Sequence, residues 1–185
     1  LVTTDGKTLL RTGHEIKVDY KKETIKKLRS IIFKTKNFNN KLPLEELTNL
    51  ITNDHKIAVD TIMSLSGLKP DIIGFHGQTI FHDPSNKISV QIGNGKLLSQ
   101  LTNTKVISNF RENDLLNGGQ GAPIAPTYHK YIIESLKLEL PCCLINIGGV
   151  SNLTYWDGYQ LIGFDLGPGN GLMDIYCQKH LGIPF

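Results

Sequence analysis

The sequence predicts an α/β fold, and three observations carry the prediction. Two stretches in the first third repeat apolar residues at helical spacing. After residue 70 the chain turns to short apolar or alternating runs of strand length. Glycine-rich turns and further helical segments separate these runs, the mixture of hairpins and crossover helices from which α/β domains are built.

Residues 1–18 read as a short hairpin, with Leu1 to Thr4 and Thr8 to Leu10 on either side of the turn pair Asp5-Gly6. Residues 20–34 read as a helix that gathers Ile25, Leu28, Ile31 and Ile32 on one face and lysines on the other. A longer helix is expected from Leu44 to Leu65, striped by Leu47, Leu50, Ile51, Ala58, Ile62 and Leu65. Gly67 falls at its C-cap, with Pro70 beyond. Strands follow at Asp71 to Phe75, Lys87 to Ile92 and Lys105 to Phe110, and helices at Lys96 to Leu101 and Pro126 to Leu136. Residues 141–147 form a strand. A hairpin then runs from Asn152 to Trp156, through Asp157-Gly158, to Tyr159–Asp165, and Asn170 is placed to cap a last helix ending near His180.

Bulk composition narrows the class. Hydrophobic residues make up 39% and charged residues 20% of 185, an ordinary folding composition rather than a disordered one. The net charge of +3 is uneven, with eleven Lys/Arg against six Asp/Glu in residues 1–50. Without interleaved aromatics, this basic excess reads as a solvated helix face rather than a nucleic-acid surface. Cys142, Cys143 and Cys177 lack zinc spacing and are expected to be reduced, mostly buried thiols of a cytoplasmic protein. No apolar run approaches the roughly 20 residues of a membrane-spanning helix, and Asp5 and Lys7 exclude a signal peptide at Leu1 to Leu10.

Four segments break local rules and are the places to look for chemistry. Gly74-Phe75-His76-Gly77-Gln78-Thr79 sets polar side chains beside a glycine after a buried strand; His76 fits either a backbone-bonded structural role or a ligand-facing turn. Asn109-Phe110-Arg111-Glu112-Asn113-Asp114 ends a strand, where ligand residues collect in α/β sheets. There Arg111 offers a fork for a carboxylate or phosphate, or an ion pair to Asp114. Gly118-Gly119-Gln120-Gly121-Ala122-Pro123 reads as either a flexible loop or a backbone-lined contact. The fourth comprises Ile147-Gly148-Gly149-Val150-Ser151-Asn152 and Gly163-Phe164-Asp165-Leu166-Gly167-Pro168-Gly169-Asn170. Its carboxylate at a strand end, before Gly-Pro-Gly and a helix start, suits proton abstraction or Mg²⁺, with phosphate at the helix N-terminus. Asp165 as a turn residue and Asp174 as a charge complementing the helix dipole are the structural alternatives.

These segments together resemble the anhydro-N-acetylmuramic acid kinases. The resemblance lies in His76-Gly77-Gln78-Thr79, Val90-Gln91-Ile92-Gly93, Asn109-Phe110-Arg111 with Asp114, Gly118 to Pro123, Asn146-Ile147-Gly148-Gly149 with Asn152-Leu153-Thr154, and Phe164-Asp165 with Gly167-Pro168-Gly169-Asn170 and Met173-Asp174. They occur in the family's order across roughly residues 70–180, whereas residues 1–66 match only in general style.

The resemblance implies an actin-like, hexokinase-type fold of two RNase H-like domains around a cleft: residues 1–140 as a first domain missing its first hairpin strand, and 141–185 as the start of a truncated second. It implies a cytoplasmic enzyme of peptidoglycan recycling that opens 1,6-anhydro-N-acetylmuramic acid with water and phosphorylates it with ATP and Mg²⁺, and a homodimer. Asp165 falls on the family's general base. His76, Gln78, Arg111 and Asp114 fall on motifs of the sugar side, and Gly148, Gly149, Gly167, Gly169 and Asn170 on the phosphate side; no metal ligand set is implied. The family's opening Gly- and Ser/Thr-rich phosphate hairpin is not found among these 185 residues, and most of the nucleotide domain is expected beyond Phe185. Leu166 replaces a more usual small polar residue. A truncated, inactive fragment and a glycoside hydrolase pairing Asp165 with Asp114 are the alternatives.

Overall fold

The computed structural model describes residues 1–32 and 44–183. It is a mixed α/β structure whose residues gather into two compact units, one of Leu1–Thr3 with Arg11–Gly121 and one of Thr4–Leu10 with Ala122 onward.

A hairpin opens the chain, β1 (Val2–Thr4) and β2 (Leu9–Thr12). Its turn is held by Asp5, whose Oδ1 accepts the amides of Lys7 at 2.8 Å and Thr8 at 2.7 Å.

In the first unit the expected helices form as α1 (Lys22–Ile32) and α2 (Glu45–Ser66). The Ile32 side chain and residues 33 and 34 of the expected first helix lie outside the described residues. Gly67 closes α2 as anticipated, donating to the Met63 carbonyl at 2.9 Å. The apolar faces meet as a core of Leu28, Leu47, Ile51, Ile80 and Ile92, because burying both stripes together removes more apolar surface from water than either helix manages alone. Asp54 is buried at 5% exposure and caps α1 from outside. It accepts the Thr24 hydroxyl at 2.7 Å and the Lys21 amide at 3.4 Å, with the Lys21 ammonium at 3.8 Å.

Strands β3 (Ile72–Gly74) and β6 (Lys105–Ile107) pair in parallel. Between them come β4 (Gln78–Asp83), β5 (Ile88–Ile92) and α3 (Gly95–Thr102). β4 adds a strand to those read from the sequence: Gln78 and Thr79, the end of the segment that fits a ligand-facing turn, continue to Asp83 and pair antiparallel with β5 from Gln78↔Ile92 to Asp83↔Ile88. Its Gln-Thr-Ile-Phe-His-Asp sequence hides the period, since Ile80 is its one fully buried side chain. The expected strand through Phe110 stops at Ile107, and Asn109 takes a positive φ of 60° ahead of the short helix α4 (Glu112–Leu116).

In the second unit α5 (Pro126–Ser135) packs on β8 (Val150–Trp156) and β9 (Leu161–Pro168), which with β7 (Cys142–Ile147) form an antiparallel sheet ordered β7-β8-β9. Ile133 and Thr154 are both 1% exposed, and the Thr154 hydroxyl lies 2.7 Å from His129 Nδ1. Lys130 Nζ sits 4.2 Å above the Trp156 ring. Helix α6 (Gly171–His180) is the last element of the described residues. The cysteines differ from expectation: Cys143 is exposed and Cys142 and Cys177 are half-buried. Alternate residues of a strand point to opposite faces, and Cys143 falls on the uncovered face of β7.

Candidate functional site

Residues of three sequence segments converge in the first unit. β3 delivers Phe75 and His76, the bend after β6 delivers Arg111, and the glycine loop follows α4. Arg111 Nε donates to His76 Nε2 at 2.9 Å, and Arg111 Nη1 donates to the Gly121 carbonyl at 3.3 Å. His76 Nδ1 lies 2.9 Å from the Gly77 carbonyl. An arginine nitrogen only donates and a carbonyl only accepts, so the imidazole carries its proton on Nδ1 and is neutral. Burial pushes the His76 pKa below the ordinary histidine range against the pull of the Gly77 carbonyl, with Arg111 and His55 adding to the lowering.

Asp114 closes the other side of the loop. Its Oδ2 accepts the Gly121 amide at 2.7 Å, so Gly121 is held at its N–H by Asp114 and at its carbonyl by Arg111. Gly121 is buried with φ +66°, and a Cβ there would lie 2.9 Å from Leu115 Cγ; only glycine fits without strain. The triple-glycine segment is thus a framed loop whose backbone is fixed by the two charged residues expected to bind ligand.

Gln78 is tied into the same unit. Its Oε1 accepts from Tyr20 at 3.3 Å, and its Nε2 donates to the Thr79 carbonyl at 3.2 Å. Tyr20, His55 and Phe75 form a run of rings, with centroids 5.9 Å apart for Tyr20–His55 and 4.9 Å for His55–Phe75. Burial, with the Asp54 charge, raises the Tyr20 pKa. Sequence reading missed Tyr20 and His55. The signal was available: Leu47, Ile51 and His55 share one helix face at i, i+4 spacing, and a histidine on an otherwise apolar stripe asks for a partner.

The second unit carries the glycine-rich turns and Asp165. Asp165 lies inside β9, which runs on to Pro168, rather than at the strand's end, and it is paired with Asn152. The next pair is Ser151↔Gly167, so Leu166 is an extra residue in the ladder, a β-bulge directly after Asp165. Bulges re-aim the side chains beside them. The Asp165 carboxylate is exposed, and among the described residues no side-chain hydrogen bond or ion pair engages it. The turn-capping role falls to Asp157, whose Oδ1 accepts the amides of Gln160 at 2.7 Å and Tyr159 at 2.8 Å. Those bonds hold its carboxyl below the usual carboxylate range.

The Gly148-Gly149 turn packs against the start of α6. The Asn170 amide donates to the Gly148 carbonyl at 2.8 Å and the Gly169 amide to the Gly149 carbonyl at 3.0 Å. A side chain at Gly169 would collide with the Gly148 carbonyl, which is why the turn needs glycine there. Gly167 stays in the ladder opposite Ser151. Asn170 does not cap α6 with its side chain, as expected from sequence; it is already helical at φ −74°, ψ −11°, outside the extended conformation an N-cap side chain needs. Asp174 sits in the first turn of α6, where its charge complements the helix dipole.

No helix among the described residues is long and apolar enough to cross a membrane, and no group of three or more His, Cys, Asp or Glu among them is arranged to hold a metal ion.

The fold and these clusters define a mixed α/β protein with a clamped Arg-His-glycine network in one unit and an exposed carboxylate beside paired glycine turns in the other. A family model described as anhydro-N-acetylmuramic acid kinase matches residues 22–185, and the chain belongs to that family. A protein of Pelagibacter ubique named anhydro-N-acetylmuramic acid kinase is 47% identical over 150 residues, 80% of this chain and 40% of the relative. One of the same name from Rhodopseudomonas palustris is 44% identical over 146 residues, 77% of this chain and 40% of the relative. One from Brucella canis is 37% identical over 191 residues, 97% of this chain and 51% of the relative. The chain therefore spans about half the length of the curated relatives it matches.

Proposed function

We propose that this chain contributes the catalytic base and sugar-side residues of an ATP-dependent kinase that opens 1,6-anhydro-N-acetylmuramic acid and yields N-acetylmuramic acid 6-phosphate. The observation that carries the reading is the Asp165 carboxylate, exposed, unengaged among the described residues and set at a bulge, in a chain of this kinase family. A group that accepts a proton needs a lone pair in reach of its substrate, whereas Asp157 is turned to its own hairpin, engaged by the Tyr159 and Gln160 amides and by the Tyr155 hydroxyl at 3.4 Å.

In this reading Asp165 takes a proton from water as the water oxygen bonds to the anomeric carbon. The bond from that carbon to the bridging O6 breaks, and O6 takes the γ-phosphoryl group of ATP, releasing ADP. Phosphoryl transfer asks the protein mainly for positioning and charge stabilisation. Arg111 holds the sugar, Gln78 and Asp114 shape the surface around it, and His76 belongs to the sugar side as the support of Arg111. Gly148, Gly149, Gly167, Gly169 and Asn170 build the phosphate-facing turn. Since Gly169 and Asn170 spend their amides on that turn, its donors to phosphate are the next amides of α6, which helix geometry leaves without partners inside the helix. Mg²⁺ enters with the nucleotide, because it is commonly held by phosphates and water with one or two carboxylates rather than a protein cage. The fold assigned with this function is the actin-like, RNase H-like one, in a cytoplasmic homodimer.

The test is an assay of the full-length protein with the anhydro sugar and ATP in ¹⁸O-water. One ¹⁸O at the anomeric carbon, with phosphate on O6 and stoichiometric ADP, is the expected product. Release of unphosphorylated sugar without ATP would instead mark a hydrolase.

A further inference from the structure

We propose that His76 is a positioning residue for Arg111: its bare Nε2 accepts the guanidinium Nε–H and sets the plane in which Arg111 meets the sugar. The inference rests on the reading of Arg111 as a sugar contact and goes beyond it, because His76 acts through Arg111 rather than by touching substrate.

The geometry fixes both ends of the imidazole. Nδ1 is 2.9 Å from the Gly77 carbonyl and Nε2 is 2.9 Å from Arg111 Nε. The guanidinium is held a second time by the Gly121 carbonyl at 3.3 Å, and Gly121 is itself fixed through its amide by Asp114. A planar fork bonded at two points has its orientation determined, which a single contact would not achieve. Protonation of Nε2 would set a donor against a donor and a cation against a cation. The charged and titratable groups acting on His76 are Arg111, at the entry to α4, and His55, from α2, and both disfavour the imidazolium. The arrangement therefore holds while His76 is neutral and is lost on acidification, and sugar affinity falls with it.

Imidazole ¹⁵N spectra of the full-length protein and kinetics of His76 variants test this together. The spectra are expected to show His76 as the Nδ1–H tautomer, titrating below the ordinary value of about 6.5, with the titration moving up in Arg111→Ala. His76→Gln, which keeps an acceptor near the Nε2 position but cannot titrate, is expected to keep KM for the sugar within about threefold of wild type at neutral pH. It should also remove the rise in KM that wild type shows on acidification. His76→Phe is expected to raise KM about tenfold or more while kcat changes little, as for loss of an interaction made equally in ground and transition states. An Nε2–H tautomer, an acid limb unchanged in His76→Gln, or an unchanged KM in His76→Phe overturns the inference. If wild type shows no ATP-dependent phosphorylation of the sugar, the functional reading fails, while the tautomer and its response to Arg111→Ala still decide whether His76 orients Arg111.

Discussion

Arg111 Nε and His76 Nε2 stand 2.9 Å apart, joining residues 35 positions distant in sequence. The bond requires a histidine that is neutral at Nε2, and the second contact to the Gly121 carbonyl requires the guanidinium fork, so Arg111 cannot be exchanged for its nearest chemical relative without loss. Lysine in place of Arg111 keeps the charge and loses the fork. Arg111→Lys is expected to raise KM for the anhydro sugar roughly tenfold to a hundredfold, matching about 1.5–3 kcal/mol for a hydrogen bond to a charged group. Steady-state kinetics with sugar varied at saturating ATP checks this, and an unchanged KM removes Arg111 from the sugar site.

Asp165 leads to a prediction of the opposite kinetic kind. Asp165→Asn keeps shape and polarity and removes the basic lone pair. It is expected to lower kcat by about 10²–10⁴, the range for a positioned general base, while sugar binding measured by calorimetry stays near wild type. Retained turnover would refute the assignment.

Gly121→Ala tests the framed loop. Its positive φ and the approach of Leu115 leave no room for a methyl group, and the left-handed conformation alone costs an L-residue roughly 1–2 kcal/mol. Both a lower thermal midpoint and a higher sugar KM are expected, because the Gly121 carbonyl helps to hold Arg111. A lower midpoint with unaltered KM would separate the loop from the site.

The titration of His76 predicts a pH dependence of stability. Its pKa is lowered in the folded protein, so below about 6.5 the unfolded chain binds a proton that the folded chain refuses. The histidine's contribution is present above that value and is lost as pH falls through the lower folded pKa. Urea midpoints measured from pH 7.5 downward should decline more in wild type than in His76→Gln; parallel curves would count against the shift.

Ile51 is fully buried at the centre of the first unit's core. Ile51→Ala is expected to destabilise by about 2–5 kcal/mol, combining lost transfer energy with the cavity left behind. Chemical denaturation followed by far-UV circular dichroism measures it, and a loss under ~1 kcal/mol would mean that α2 does not carry this core.

Most of the helical architecture was legible because its signals are local. The span of α2, its closing Gly67 and the Asp157-Gly158 turn each depend on spacing within a few residues, and all three appear as read. The expected stripe of α2 holds only in part: Leu47 and Ile51 are buried, Leu65 is exposed, and Thr52 and Asp54 take buried places beside them because the contacts to Asn94 and Thr24 come from elsewhere in the fold. β4 was not legible, since its polar, aromatic sequence becomes a strand only when β5 supplies hydrogen-bond partners and the core takes Ile80. The glycine segment at 118–121 was ambiguous for a related reason. Composition shows that it is no regular element, whereas the bonds that frame it come from Asp114 and Arg111.

By itself the sequence determined which groups are present: an ordered set of family motifs, a carboxylate at Asp165, and a histidine and an arginine beside glycines. Only the tertiary structure decided what each is free to do. It spent Asp157 on a turn, Asp114 on the Gly121 amide and the Gly169 and Asn170 amides on the Gly148-Gly149 carbonyls. It set Asp165 before a bulge at Leu166 and joined His76 to Arg111 in the one protonation state their hydrogen bond allows. The physical reason is that a residue's chemical capacity belongs to its side chain, while the satisfaction of that capacity depends on donors and acceptors that folding brings from distant parts of the chain.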